Sequence, residues 1–317
     1  MREPAHVYRR RRATALGGLA VAVLLVMLAV RACGGEPAAT SESAAPLRAA
    51  AAQAVPAELP RGGRRVFPDY RVVAFYGAPQ SPRLGTLGIG TPRQAAVRLG
   101  HVARGYAKKT RPVLPALELI STIAAAHPGD DGMYRIHQAD AVIARYLRAA
   151  RRLKALLVLD IQPGRGDFLS EAQRLERWLR EPDVGIALDP EWHVGAGEIP
   201  GQTIGSVTAP EVNDVATFVS EIVRRRDLPE KLFVVHQFTA GMIKDKAAVQ
   251  RPPGLAVTMN VDGFGDRPNK IVKYDQFTSE VTRFNDGFKL FYEEDTNLMG
   301  PREVLALGPP PDLVVYE

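Results

Sequence analysis

The stretch Val184-Gly185-Ile186-Ala187-Leu188-Asp189-Pro190-Glu191-Trp192-His193 runs a short apolar segment into two acids, an indole and an imidazole. Side chains alternate along a strand, so Asp189 and Glu191 share a side if the chain stays extended through Pro190. Neighbouring acids push each other's pKa values apart, which leaves one protonated while the other stays ionised. Glu191 is then a general acid and Asp189 its electrostatic partner. Other apolar runs end in residues able to do chemistry: Asp160 with Gln162, His236 with Gln237, Asp262, and Glu293-Glu294. Glu293 is the second candidate carboxylate, a nucleophile facing Glu191. Tyr76, Trp192 and Phe264 offer flat apolar faces to a substrate. Each has a plainer reading too: Asp189-Pro190 as a loop cap, Trp192 in the core, His236 as a hydrogen-bonded core histidine, and Glu293-Glu294-Asp295 as a solvated charge run.

Such residues gather when successive parallel strands end at the same rim, which is where a (β/α)8 barrel, the TIM barrel, keeps its chemistry. Strands are expected at 72–77, 113–120, 155–160, 184–189, 232–238, 255–262, 287–292 and 312–316. The continuous apolar run Ala155-Leu156-Leu157-Val158-Leu159 suits a parallel sheet covered on both faces. Between them, Thr91-Pro92 opens a helix to about Ala107, with Thr91 as N-cap and Pro92 at the first position. Apolar residues at helical spacing mark 134–153. Further helices are expected at 170–180 and 209–226, and short ones after strands six and seven. The alternative, an open doubly wound sheet, would carry a Gly-x-Gly-x-x-Gly turn after the first strand, and Phe75-Tyr76-Gly77-Ala78-Pro79 has none. No cofactor is called for.

The fourth strand resembles that of barrel glycoside hydrolases, most nearly the chitinase-like type that ends Asp-x-x-Asp-x-Asp-x-Glu. Asp189-Pro190-Glu191 matches the last Asp-x-Glu, while Val184 and Ala187 occupy the two earlier acidic positions. The resemblance implies a glycosidase acting on a polysaccharide or cell-wall glycan, with Glu191, Asp189, Glu293 and Asp160 as catalytic candidates. Tyr76, Trp192, His236, Gln237 and Asp262 would line the substrate groove. Two other readings stay open: a glycan-binding scaffold that grips without cleaving, and a metal-dependent hydrolase using His193, His236, Asp189 and Asp262. Against the second, the first strand lacks the His-x-His pair of barrel amidohydrolases, so no metal is expected.

The N-terminus gives the location. Arg9 to Arg12 precede residues 13–30, an uncharged stretch whose 18 residues rise about 27 Å as a helix, just enough for a bilayer core. Residues 1–12 should be cytoplasmic and the rest extracytoplasmic. Val30-Arg31-Ala32-Cys33 resembles a bacterial lipobox, so lipidation of Cys33 competes with a retained transmembrane anchor or a cleaved signal. Residues 31–65 are rich in Ala, Pro, Ser, Glu and Gly and read as a disordered tether to a barrel at 66–317.

The formal charge of +6 is not a nucleic-acid footprint. Ten of the 41 Lys and Arg and four of the 35 acids lie in residues 1–65, which leaves 31 of each beyond. The surplus is a topology signal and no nucleic-acid partner is expected. Cys33 is the only cysteine, so the domain is expected to fold without disulfide or metal.

Overall fold

Apolar runs such as Leu156-Leu157-Val158-Leu159 need cover on both faces, and a closed parallel sheet wrapped in helices supplies it. In the computed structural model, which describes residues 56–317, eight parallel strands do this. They are β1 Arg71–Gly77, β2 Val113–Ala124, β3 Leu156–Ile161, β4 Val184–Leu188, β5 Lys231–Gln237, β6 Leu255–Val261, β7 Asn285–Leu290 and β8 Leu313–Tyr316. Each pairs with the next, and β8 closes on β1 with Val72 opposite Leu313. The fold is a (β/α)8 barrel.

Strand parity splits the core into two layers. Val73 and Phe75 of β1, Leu157 and Leu159 of β3, and Phe233 and Val235 of β5 face outward against the helices. The alternate positions, among them Val72, Ala74 and Tyr76 of β1, Ala116 of β2, Val158 of β3 and Val234 of β5, fill the barrel interior. A residue's place in that alternation therefore decides whether it supports a helix or enters the barrel.

The helices are α1 Pro92–Arg104, α2 Asp140–Leu153, α3 Phe168–Arg174, α4 Glu176–Leu179, α5 Ala209–Arg226, α6 Arg267–Glu280 and α7 Pro301–Val304. Capping boxes start α1, Thr91 with Gln94, and α5, Thr208 with Glu211, so each first turn satisfies two of its own free amides. The expected helix over 134–153 begins only at Asp140. Arg135–His137 instead forms a short strand antiparallel to an extended β2, with Ile136 opposite Ile123. The helix after strand six, expected to be short, spans 14 residues as α6.

Residues 56–65, which composition places in the tether, pack at the N-terminal ends of the strands. Leu59 is buried, and the Arg61 guanidinium donates to the carbonyls of Val113 and Lys154. Val66 and Phe67 N–H both donate to the Glu230 carboxylate, sealing that end. Residues 13–30 and Cys33 lie outside the described residues. Among the described residues no helix is long and apolar enough to cross a membrane.

Candidate active site

The polar interior begins where the apolar layer stops. Tyr76, Glu118, Asp160, His236, Asn260 and Lys289 occupy inward positions in the C-terminal halves of their strands or, for Glu118, mid-strand, and all are buried. Asp189, Asp262 and Glu317 stand one residue past β4, β6 and β8. The sheet ladder extends to hold them: Asp189 N–H donates to Ile161 O at 3.0 Å, Asp262 N–H to Gln237 O at 2.9 Å, and Glu317 N–H to Leu290 O at 2.9 Å. Backbone pairing thus aims these three carboxylates inward.

His236 is the hub. Its Nδ1 lies 2.9 Å from Asp262 Oδ2, and its Nε2 lies 3.0 Å from Glu118 Oε1 and 3.8 Å from Asp160 Oδ2. Asp262 also accepts from Asn260 Nδ2 at 2.5 Å and from Lys289 Nζ at 3.1 Å. The Lys289 ammonium continues to Glu317 Oε2 at 2.8 Å and sits 3.8 Å from the centroid of the Tyr76 ring. Tyr76 in turn donates to Asp189 Oδ2 at 3.2 Å and accepts from Gln162 Nε2 at 2.9 Å. These groups form one network reaching from β1 to β8.

Burial opposes the charges on His236 and Lys289, yet Asp262 with Glu118 holds the imidazole well above its ordinary pKa, and Asp262 with Glu317 does the same for the ammonium. Burial would raise Asp262, but His236 and Lys289 outweigh it and keep this carboxyl below the usual range. Asp160 goes the other way: burial, then the Asp189 charge, push it far above. Neither Asp160 oxygen has a hydrogen-bond partner, nor does Asp189 Oδ1. The interior therefore carries more carboxylate than its two cations and its donors satisfy.

Glu191 reaches this cluster by a route strand alternation does not describe. Pro190–Trp192 is a 3-10 turn, so the chain is not extended after Leu188. Gly205 N–H donates to Glu191 O at 2.7 Å and pins the turn. Only glycine fits there, because a Cβ on Gly205 would stand 2.2 Å from His193 O and 2.4 Å from Pro190 O. Glu191 ends half-buried, pushed up to about 8 by burial and the Asp189 charge, while burial brings Asp189 to about 6. At the same mouth Lys273 donates to Phe238 O at 3.0 Å, lies under the charges of Asp262 and Glu191, and packs on the Phe238 ring. Phe264, exposed, is tilted over Phe238 with centroids 6.1 Å apart.

The remaining candidates stand apart. Glu293 is exposed and lines a cavity of about 270 Å³ with Arg83, Tyr292 and Glu317, while Lys289 takes the inward place on its strand. Gln237 follows His236 on the opposite, helix-facing side, and its amide donates to Thr239 O at 3.4 Å. Trp192 is half-buried with its indole N–H unpartnered. His193 turns away: its Nδ1 meets Ser206 O at 2.8 Å and its ring packs edge-on against Phe168. The His193, His236, Asp189, Asp262 set of the rival metal-hydrolase reading therefore does not assemble.

Sequence reasoning that looked at strand exits missed Glu118, Asn260, Lys289, Glu317 and Lys273. Parity was the usable signal for the first three. In β2 the inward series Leu114, Ala116, Glu118, Ile120 breaks at one acid, and in β7 the series Gly287, Lys289 breaks at one base.

No protein-family model matches the chain, and no curated protein does. Solved structures that resemble it include an oxaloacetate acetylhydrolase in complex with 3,3-difluorooxalacetate, at 12% identity and TM-score 0.47 over 78% of this chain and 75% of that one. Another is the wild-type Ruminococcus gnavus sialic acid aldolase, at 10% identity and TM-score 0.40, over 78% of this chain and 68% of that one. The glycoside-hydrolase reading is corrected here. The similar structures named are those of an acetylhydrolase and an aldolase. Within the site, the Asp189-Pro190-Glu191 motif is not a strand and Glu293 stands outside the buried network.

Proposed function

We propose that the barrel is an acid–base enzyme of the lyase type, in which Glu191 gives and takes the proton at the barrel mouth. The observation that supports this is placement. Glu191 is half-buried beside the charged interior, and the Lys273 side chain, which feels the Glu191 charge, packs on the Phe238 ring. With Glu191 near 8 and Asp189 near 6, one acid holds a proton around neutral pH while its neighbour is ionised, the division of labour proton transfer needs.

Two covalent routes have little support among the described residues. Residues 56–317 contain no cysteine. Lys289 is held as an ammonium, and an ammonium has no lone pair with which to form a Schiff base. The reading is bond cleavage driven by moving a proton while a cation stabilises negative charge growing on a carbonyl or carboxylate oxygen, as in elimination or retro-aldol chemistry. Lys273, packed on the Phe238 ring, is the cation assigned to that oxygen.

The test is proton exchange at carbon. The full chain is incubated in D2O with pyruvate and with oxaloacetate, and loss of the C3 proton signals is followed by NMR. Wild type should exchange or cleave at least one of them faster than buffer, and Glu191→Gln should slow this about 100- to 10,000-fold. Exchange at wild-type rate in Glu191→Gln, or none in wild type with either acid, overturns the proposal.

A further inference from the structure

Three strands bring Glu118, Asp160 and His236 together inside the barrel, with one ligand-type atom from each lying within 4.8 Å of the other two. His236 Nε2 is 3.0 Å from Glu118 Oε1 and 3.8 Å from Asp160 Oδ2. Atoms bound to one divalent ion at about 2.1 Å, with angles of about 90–110°, stand about 3.0–3.4 Å from each other. One observed spacing lies at the short end of that range and the other exceeds it by about 0.4 Å, a gap that side-chain adjustment can close.

Two further observations point the same way. Asp160 is fully buried, and both of its carboxylate oxygens lack a partner. A carboxylate without a donor in a dry interior is costly, and an ion would supply what the protein does not. The other face of His236 is prepared as well: Nδ1 meets Asp262 Oδ2 at 2.9 Å, and Asn260 and Lys289 fix that carboxylate. A carboxylate on Nδ1 keeps the proton there and turns the Nε2 lone pair toward Glu118 and Asp160, the outer-shell arrangement usual for a metal-bound histidine.

We propose that Glu118, Asp160 and His236 bind a divalent transition-metal ion of the Mn2+ or Zn2+ kind. One imidazole among carboxylates suits those ions better than Ca2+ or Mg2+, which take oxygen alone. The competing occupant is a proton on Nε2, shared with Glu118. The site stands independently of the role given to Glu191, because its test reads binding and no turnover.

Untagged full-length protein, stripped with EDTA and dialysed, is titrated with Mn2+ at neutral pH while free Mn2+ is followed by its EPR signal. Zn2+ binding is followed by calorimetry. One ion per chain is expected, with Asp160→Asn weakening binding at least 100-fold and Asp262→Asn weakening it about 10- to 100-fold. The absence of stoichiometric binding of either ion, or unchanged affinity in a folded Asp160→Asn, overturns the proposal. If that variant does not fold, Co2+-loaded wild type decides: visible ligand-field bands with one histidine nitrogen signal support the triad, and a spectrum of aqueous Co2+ overturns it.

Discussion

Lys289 Nζ stands 3.1 Å from Asp262 Oδ2, with both side chains all but sealed from water. The ammonium is also the partner of Glu317, so it compensates two carboxylates at once. Lys289→Met keeps the volume and removes the charge. It should cost about 3–5 kcal/mol, because the destabilisation comes from carboxylates left buried and alone. Urea unfolding of Lys289→Met, Asp262→Asn and the double variant gives the check. The double variant should lose less than the two single losses added together, and strict additivity would mean the pair is not coupled.

Asp286, at the start of β7, has its carboxyl pushed up to about 7 by burial and the nearby Asp312 charge. Its folded value is thus above the unfolded one. Between about pH 4 and 7 the folded chain holds a proton that the unfolded chain has already lost, so this group's contribution to stability falls as pH rises through that window. Asp286→Asn should flatten that slope and gain about 1–2 kcal/mol above it, a figure lowered for solvent screening. Thermal melts of both proteins from acid to mildly alkaline pH test this. A variant whose stability tracks wild type throughout would show that Asp286 carries no such penalty.

Residues 13–30 carry no charge and directly follow Arg9 to Arg12. We expect the full chain to sediment with membranes and a chain lacking residues 1–33 to stay in the supernatant. Added protease should reach the region after Gly34 from outside cells whose wall has been removed. Recovery of the full chain in the supernatant would sink the anchor, and a change in mature mass and membrane partitioning in Cys33→Ala, beyond the substitution itself, would identify lipidation.

How much of this was legible in the sequence differs from element to element. The eight strands were, because each is a short apolar run bounded by polar turns, and burial on both faces leaves that pattern in any one of them alone. The helix start at Thr91-Pro92 was readable for a similarly local reason: the cap and the proline that follows it are adjacent in the chain. The start of α2 was not, since residues 134–139 carry a helical spacing that pairing with β2 overrides.

Within the site, Asp189, Asp160, His236 and Asp262 were visible as polar endings of apolar runs and Tyr76 as an aromatic face, and all of them enter the network. What they do there was not visible. His236 on β5 meets Glu118 on β2 across 118 positions of chain, a contact made across the barrel interior, and Lys289 meets Asp262 across 27, from the neighbouring strand. Glu191 shows the same division. Its type and its neighbour Asp189 are written locally, but its position depends on a 3-10 turn pinned by Gly205, fourteen residues on. Sequence by itself determined which residues face inward, because alternation along a strand is a property of the backbone. Only the tertiary structure decided which carboxylates acquire cations and which are left buried without partners, because that depends on distances across the barrel.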